Sequence, residues 1–430
     1  MKNSFKLFGL LLAIGMAASF TACSDDDDDN GGDSSVEYIT ENTTWYNDEV
    51  HTLDKRTVVN AGVTLTIEEG TVVKGASGTG TNAKALIITK GAKIYAVGTK
   101  ELPIIFTSTA DDITPEDVKN GNIAGSVSST TNSQWGGILI LGEAPISVKG
   151  GATTAQIEGI PSTSEYGQYG GTDATDNSGE FKYVSIRHGG ADIGEGNEIN
   201  GLSLGGVGSG TQISHIEIVA NLDDGIEFFG GTVNISDVVV WNVGDDGLDT
   251  DQGWKGTCSN FVVLTPGNNL LELDGIEGDK TDKATVESFG YHTFENGYLV
   301  ADTAKAGDLM NLDPETSVHF DNLYYTAIDV NNNLITIDSN HIINMQDLKD
   351  GTEKTLANFL DGVDTQFKDV VLNVASADLN NYIDGSLTGL TATGNAGVSA
   401  GTAPVSSIDV SAFSGWSWAA SAATAFPASN

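Results

Sequence analysis

The chain is poor in nearly everything that disulfide-built or α-helical proteins use. It has 2 cysteines, 8 prolines and only 20 lysines and arginines against 59 acids, for a net charge of −39. Arg56 and Arg187 are its only arginines. So scarce a cationic complement argues against nucleic acid and anionic membrane surfaces as partners, since both bind through neutralised phosphates. Cys23 and Cys258 cannot make the disulfide framework of a small secreted domain. The histidines at 51, 188, 215, 292, 319 and 341 show no metal-ligand spacing. Asp329 and the asparagines after it imitate an EF-hand loop, but Leu334 stands where glycine is required.

The N-terminus reads as a processing signal. Lys2 and Lys6 precede a short apolar stretch over residues 7–18, too short to span a bilayer as a mature helix. It runs through Phe20, Thr21 and Ala22 into Cys23, a pattern that resembles a lipoprotein signal with Cys23 as the lipidated residue. Five aspartates at 25–29 follow, and like charges at that density stay extended and solvated. The expected organisation is a signal peptide over 1–22, an acidic tether over 23–36 and one folded body over 37–430. The serine and acidic run resembles surface-export signals of Bacteroidota lipoproteins. An outer-membrane lipoprotein displayed at the cell surface is therefore expected; a periplasm-facing one is the alternative.

The body is built on repetition. An apolar, any, polar, apolar, any, apolar pattern starts at Phe181, Ile213, Ile235 and Cys258, with weaker copies at Phe294 and Phe320. The best copies lie 22 and 23 residues apart, the size of one β-helix coil. Cys258 fills the slot of Ile213 and Ile235, which makes it a core residue. A second strand follows in each repeat, with inward pairs at Leu202 and Leu204, Ile226 and Phe228, Leu248 and Thr250, Leu271 and Leu273, and Met310 and Leu312. Period-two alternation bounded by glycine and acidic turns is the strand signature. Earlier strands are expected around residues 62–75, 85–98, 103–108 and 134–141, before a Gly-rich surface loop at 150–180.

The segments GTVVKG (70–75), PIIFTS (103–108), WGGILILG (135–142), NEINGLSLGGVGSG (197–210) and DDGIEFFGGTVN (223–234) resemble a family of β-helical outer-membrane lipoproteins with the pectin-lyase-like fold. The resemblance implies an all-β, right-handed parallel β-helix. Residues 345–365 break the pattern and predict a short helical insertion. The tail predicts a terminal strand, with Trp416 and Trp418 on one side.

The acids fall in register. Glu227, Asp249 and Glu272 share the outward slot of the second strand at intervals of 22 and 23, and the turn Asp223, Asp224 is echoed by Asp245, Asp246. Asp251, Asp274, Glu277 and Asp279 lie close downstream. Carboxylates stacked about 5 Å apart repel by about 3 kcal/mol per pair at an effective dielectric near 20. A hard divalent cation, calcium above all, is the natural counterweight. A solvated acidic ladder, its turn residues bonded to nearby backbone, is the alternative.

Two functions follow from this. The first is a non-catalytic surface binding or adhesion protein, calcium-stabilised, taking an extracellular glycan or an outer-membrane receptor, with Trp45, Trp135, Trp241 and Trp254 as candidate contacts. The second is a calcium-dependent polysaccharide lyase, for which Arg187 and Lys255 are the candidate bases. A hydrolase would instead use Asp245 and Asp246 as an acid–base pair. No organic cofactor is expected.

Overall fold

Residues with apolar side chains on every second position cannot bury a face alone, and here they do so by stacking. The computed structural model describes residues 35–191, 198–277, 290–313, 316–345, 365–387 and 397–428. Residues 35–430 form one compact unit. The signal, Cys23 and most of the tether lie outside the described residues, as does the helix expected near 345–365. The described body is a right-handed parallel β-helix, built on a ten-stranded sheet and a fifteen-stranded sheet.

Register follows the sequence repeat. In the larger sheet Phe181 sits on Ile213, Ile213 on Ile235, Ile235 on Cys258, Cys258 on Phe294 and Phe294 on Phe320. All six are at most 4% exposed, and Cys258 is a core residue. Burying one such side chain stabilises by about 1.5–3 kcal/mol, and each depends on the coil above and below. In the smaller sheet Leu202, Ile226, Leu248 and Leu271 stack in the same way.

The cross-section changes along the axis. In the first coils two separate strands occupy the larger sheet, such as Lys93–Val97 and Ile104–Ser108. The next strand, Gly179–Arg187, rests its first half on one and its second half on the other. The intervening turn shrinks to a single residue, Tyr183, at φ 51°. The same left-handed bend recurs at His215, Asp237, Asn260, Asn296, Asn322 and Asp369. Short polar side chains tolerate that conformation best, which explains the polar slot of the repeat. They also pair along the axis: Asn260 Nδ2 donates to Asp237 Oδ1 at 2.7 Å, and Asn322 Nδ2 to Asn296 Oδ1 at 2.9 Å.

Three expectations need correction. The tail is not a strand: residues 410–413 form a 3-10 turn and Trp418–Ala422 a short α-helix. Ser417 caps that helix through the N–H of Ala420, and alanines fill its turns. The tail runs as a strap back along the outer face of the larger sheet. Ser406 exchanges hydrogen bonds with the Asn322 amide, and Asp409 does so with the Asn260 amide. The strap ends at Trp416, edge-on to Tyr183 and His215, and at Trp418 against Trp241.

The polar stretch at 150–180 is no free loop either. Ile157, Ile160 and Tyr169 are buried against the outward side chains Val58, Ile87 and Leu139 of the smaller sheet. The early coils carry apolar residues outward as well as inward, and this segment covers them. Finally, Trp135 and Trp254 are 0% and 1% exposed, so neither is a surface contact. Their indole N–H groups donate to the carbonyls of Arg187 and Val233.

Candidate functional site

The smaller sheet presents one outward column of polar side chains, and its middle is acidic. Ser203, Glu227, Asp249, Glu272, Asn311 and Asn344 occupy the same slot on six successive coils. The turn just before it forms a second column. Asp224 Oδ1 accepts the N–H of Asp246 at 2.9 Å, Asp246 Oδ1 accepts that of Asn269, and Asn269 Oδ1 accepts that of Asp308 at 2.8 Å. Each turn side chain thereby caps the coil above it, and fixes the carboxylates rigidly beside one another.

The column is shielded unevenly: Glu227 is buried, while Asp249 and Glu272 are half-buried. Asp224 and Glu227 are each 7% exposed and Asp246 is 1% exposed. The covering segment at 143–178 contributes to this. Tyr169 donates to Gln252 Oε1 at 2.8 Å, Ser147 to the carbonyl of Glu277, and Glu158 is brought beside the column. Asn200 bridges the two, donating to Glu227 Oε2 at 2.5 Å and to Glu158 Oε1 at 3.2 Å.

Oxygens of Asp224, Glu227 and Asp249 all lie within 4.8 Å of one another, and a second such group comprises Asp223, Asp224 and Asp245. Asp246 and Glu272 belong to neither group. Calcium–oxygen distances of about 2.3–2.6 Å put two oxygens on one ion no more than roughly 5 Å apart, so the geometry fits. Asp249 Oδ1 is buried and has no hydrogen-bond partner among the described residues. A buried carboxylate oxygen left in that state is costly unless a proton or a cation takes it.

The electrostatics follow from burial and crowding. Desolvation first, and then the Asp223 charge, hold Asp224 well above the usual carboxylate range. Desolvation and then Asp249 and Glu158 do the same for Glu227, and desolvation with Asp224 and Glu272 for Asp249. Asp223 is pushed up to about 7 by burial and by Glu158 and Asp245. Burial, then a hydrogen bond that the protonated Asp246 carboxyl donates to Glu272, pushes Asp246 up to about 11. Burial raises Asp245 as well. The charges that act most strongly on Asp224, Glu227 and Asp249 are all carboxylates.

Of the two candidate bases, Arg187 lies on the other sheet. Arg187 is completely buried on the larger sheet, where Nε donates to Ser185, Nη1 to the Ile123 carbonyl, and the guanidinium lies 3.6 Å from Glu217. It also stacks 5.0 Å over the Trp418 ring. Its work is to seat the strap. Lys255 is exposed, in a turn where its N–H bonds the Gly231 carbonyl and its stem packs near Gly290. Asp246 is buried and bonded to Asn269 and Glu272, so Asp245 and Asp246 do not form an open acid–base pair.

Glu158 and Asn200 escaped the reading of the sequence. Asn200 had a visible signal: Asn200-Gly201 is aligned one coil before Asp224-Gly225 and two before Asp246-Gly247. Glu158 had none, because it reaches the column through a loop that follows no repeat.

A family model for a pectate-lyase-like β-helix domain matches residues 37–420. The chain belongs to that family of β-helical proteins. Neither a curated protein nor a solved structure matches it.

Proposed function

We propose that the chain is a cell-surface β-helical binding lipoprotein, anchored through Cys23, whose carboxylate column holds a hard divalent cation. Calcium is the cation of choice, taken by Asp224, Glu227 and Asp249, with Asp223 and Asp245 completing the acidic surround. The observation that carries this reading is the set of three carboxylates within calcium-bridging distance, one of them with a buried, unpartnered oxygen. The cation neutralises the crowding, so binding it stabilises the middle coils and fixes the 143–178 segment beside them. The bound partner is an extracellular glycan or an outer-membrane receptor, presented with a rigid flank.

The lyase reading needs a base beside the cation. The complete burial of Arg187 on the other sheet counts against it in that role. Calorimetric titration with calcium separates the two functions when paired with absorbance of unsaturated products from acidic polysaccharides. Saturable binding with an affinity near the 0.1–1 mM of extracellular calcium modules, or tighter, is expected, without product. Product formation lost in Asp249→Asn would establish the lyase instead. No binding of any divalent cation would overturn the cation site.

A further inference from the structure

The first coil has no coil beneath it among the described residues. Its strands Val36–Ile39 and Thr43–Trp45 stand at the ends of the two sheets, so their outer edges carry backbone groups with no strand partner there. Such an edge accepts a further strand unless something blunts it. The inward side chains of this coil line an open mouth of about 390 Å³, within the range of small-ligand sites. Glu37 and Ile39 stack on Thr57 and Val59, and Trp45 stacks on Ile67, so all three point into the bore. Trp45 is half-buried, with the His51 ring stacked on it at 5.3 Å, and Tyr38 on the rim is 46% exposed.

The polar groups of this mouth are acceptors or are already spent. Glu37 and Glu41 are exposed carboxylates, and no lysine or arginine is among the lining residues. His51 Nε2 is engaged with the Tyr46 carbonyl at 2.9 Å. Thr57 is 2% exposed, and its hydroxyl has no hydrogen-bond partner among the described residues, a costly state until a ligand reaches it. An anion would meet two carboxylates and no countercharge. A purely apolar ligand would desolvate those carboxylates and strand the hydroxyl. A cationic head on an apolar stem answers both, with the stem on Ile39 and Trp45 and the head on the carboxylates beside aromatic rings. An extended chain paired with the free edge would deliver it, because strand alternation puts every second side chain over the bore.

We propose that the N-terminal mouth docks an extended basic segment of a partner protein, which adds a strand to the free edge of Val36–Ile39 and places one lysine or arginine side chain on Glu37. The site uses none of the carboxylates of the column, needs no cation, and stands independently of the calcium reading.

The test is calorimetric titration of the full chain, in EDTA, with blocked heptapeptides of alternating threonine and valine whose central residue is lysine, arginine, glutamine or glutamate. At least one basic peptide is expected to bind, and the glutamine and glutamate peptides at least tenfold more weakly. Glu37→Gln should weaken the basic peptide at least tenfold. Thr57→Val, which trades an unpartnered hydroxyl for a methyl group and so keeps the coil folded, should weaken it severalfold. Cadaverine, which has head and stem but no backbone, should bind at least tenfold more weakly than the lysine peptide. Binding by neither basic peptide overturns the proposal, as does equal binding of the glutamine peptide or an affinity unchanged in both variants. Cadaverine binding as tightly as the peptide overturns the strand docking, and loss of binding in Asp249→Asn would overturn the location.

Discussion

Ser417 donates its hydroxyl to Glu217 Oε1 at 2.7 Å, joining residues 200 positions apart. The N–H of Ala419 adds a second bond to the same oxygen at 2.9 Å, and Ser185 and Arg187 take the other. Glu217 is thus the point where the strap is fastened. Glu217→Ala leaves the Arg187 guanidinium buried without its partner, and a loss of about 3–5 kcal/mol is expected. Ser417→Ala should cost about 1–2 kcal/mol. Denaturant unfolding gives the magnitudes, and limited proteolysis should show early release of the tail in both variants.

Calcium affinity tests the assignment of oxygens. Asp249→Asn should lower it roughly tenfold or more, about 1.4 kcal/mol of binding free energy. Glu272→Gln should have a smaller effect, since Glu272 lies outside both clustered groups. Equal losses in the two variants would mean that the ion sits one coil higher than assigned.

The raised carboxyls set the pH response. A carboxyl that titrates higher in the folded chain binds protons there that the unfolded chain has released. Asp223 moves from an ordinary 3.8 to about 7. Its contribution to stability is therefore fully present below pH 4 and is lost as pH rises through about 7. Asp224, Glu227 and Asp249 act in the same direction. In EDTA, thermal unfolding should occur at higher temperature at pH 5 than at pH 8. Calcium should raise the midpoint more at pH 8, where fewer protons compete, and its binding should release protons into a weak buffer.

The left-handed bends give a further handle. Asn260 sits at φ 52° while its amide holds both Asp237 and the strap residue Asp409. Asn260→Gly keeps the backbone relaxed and loses only the amide. Asn260→Ala loses both, so it should be the less stable by about 1–2 kcal/mol. The comparison of melting midpoints separates conformational strain from hydrogen bonding.

Anchoring is tested by Cys23→Ser, which should move the protein from the detergent phase to the aqueous phase in Triton X-114 partition. Protease treatment of intact cells should digest the wild-type chain if it faces outward.

Much of this architecture was legible because a β-helix writes its vertical neighbours into sequence spacing. Ile213, Ile235 and Cys258 revealed one coil length, and the same spacing placed Glu227, Asp249 and Glu272 in one column. What does not repeat was hidden. Nothing in the spacing of Ile157, Ile160 and Tyr169 tells that they cover outward apolar residues, because their partners Val58, Ile87 and Leu139 lie on three different coils. Burial of the carboxylates depends in part on that cover, so the solvated reading of the ladder could not be separated from the buried one. Trp416 and Trp418 carry the period of a strand, but alanine-rich neighbours and the Ser417 cap favoured a helical turn instead.

A stack of coils that touch only their nearest neighbours loses order piecemeal from its tips. The strap breaks that independence, since a segment leaving the last coil is bolted to strands near the middle. Loosening at the C-terminal tip must then either slacken a buried arginine far below or wait for it. The end that would otherwise fray first is made to share the fate of the centre.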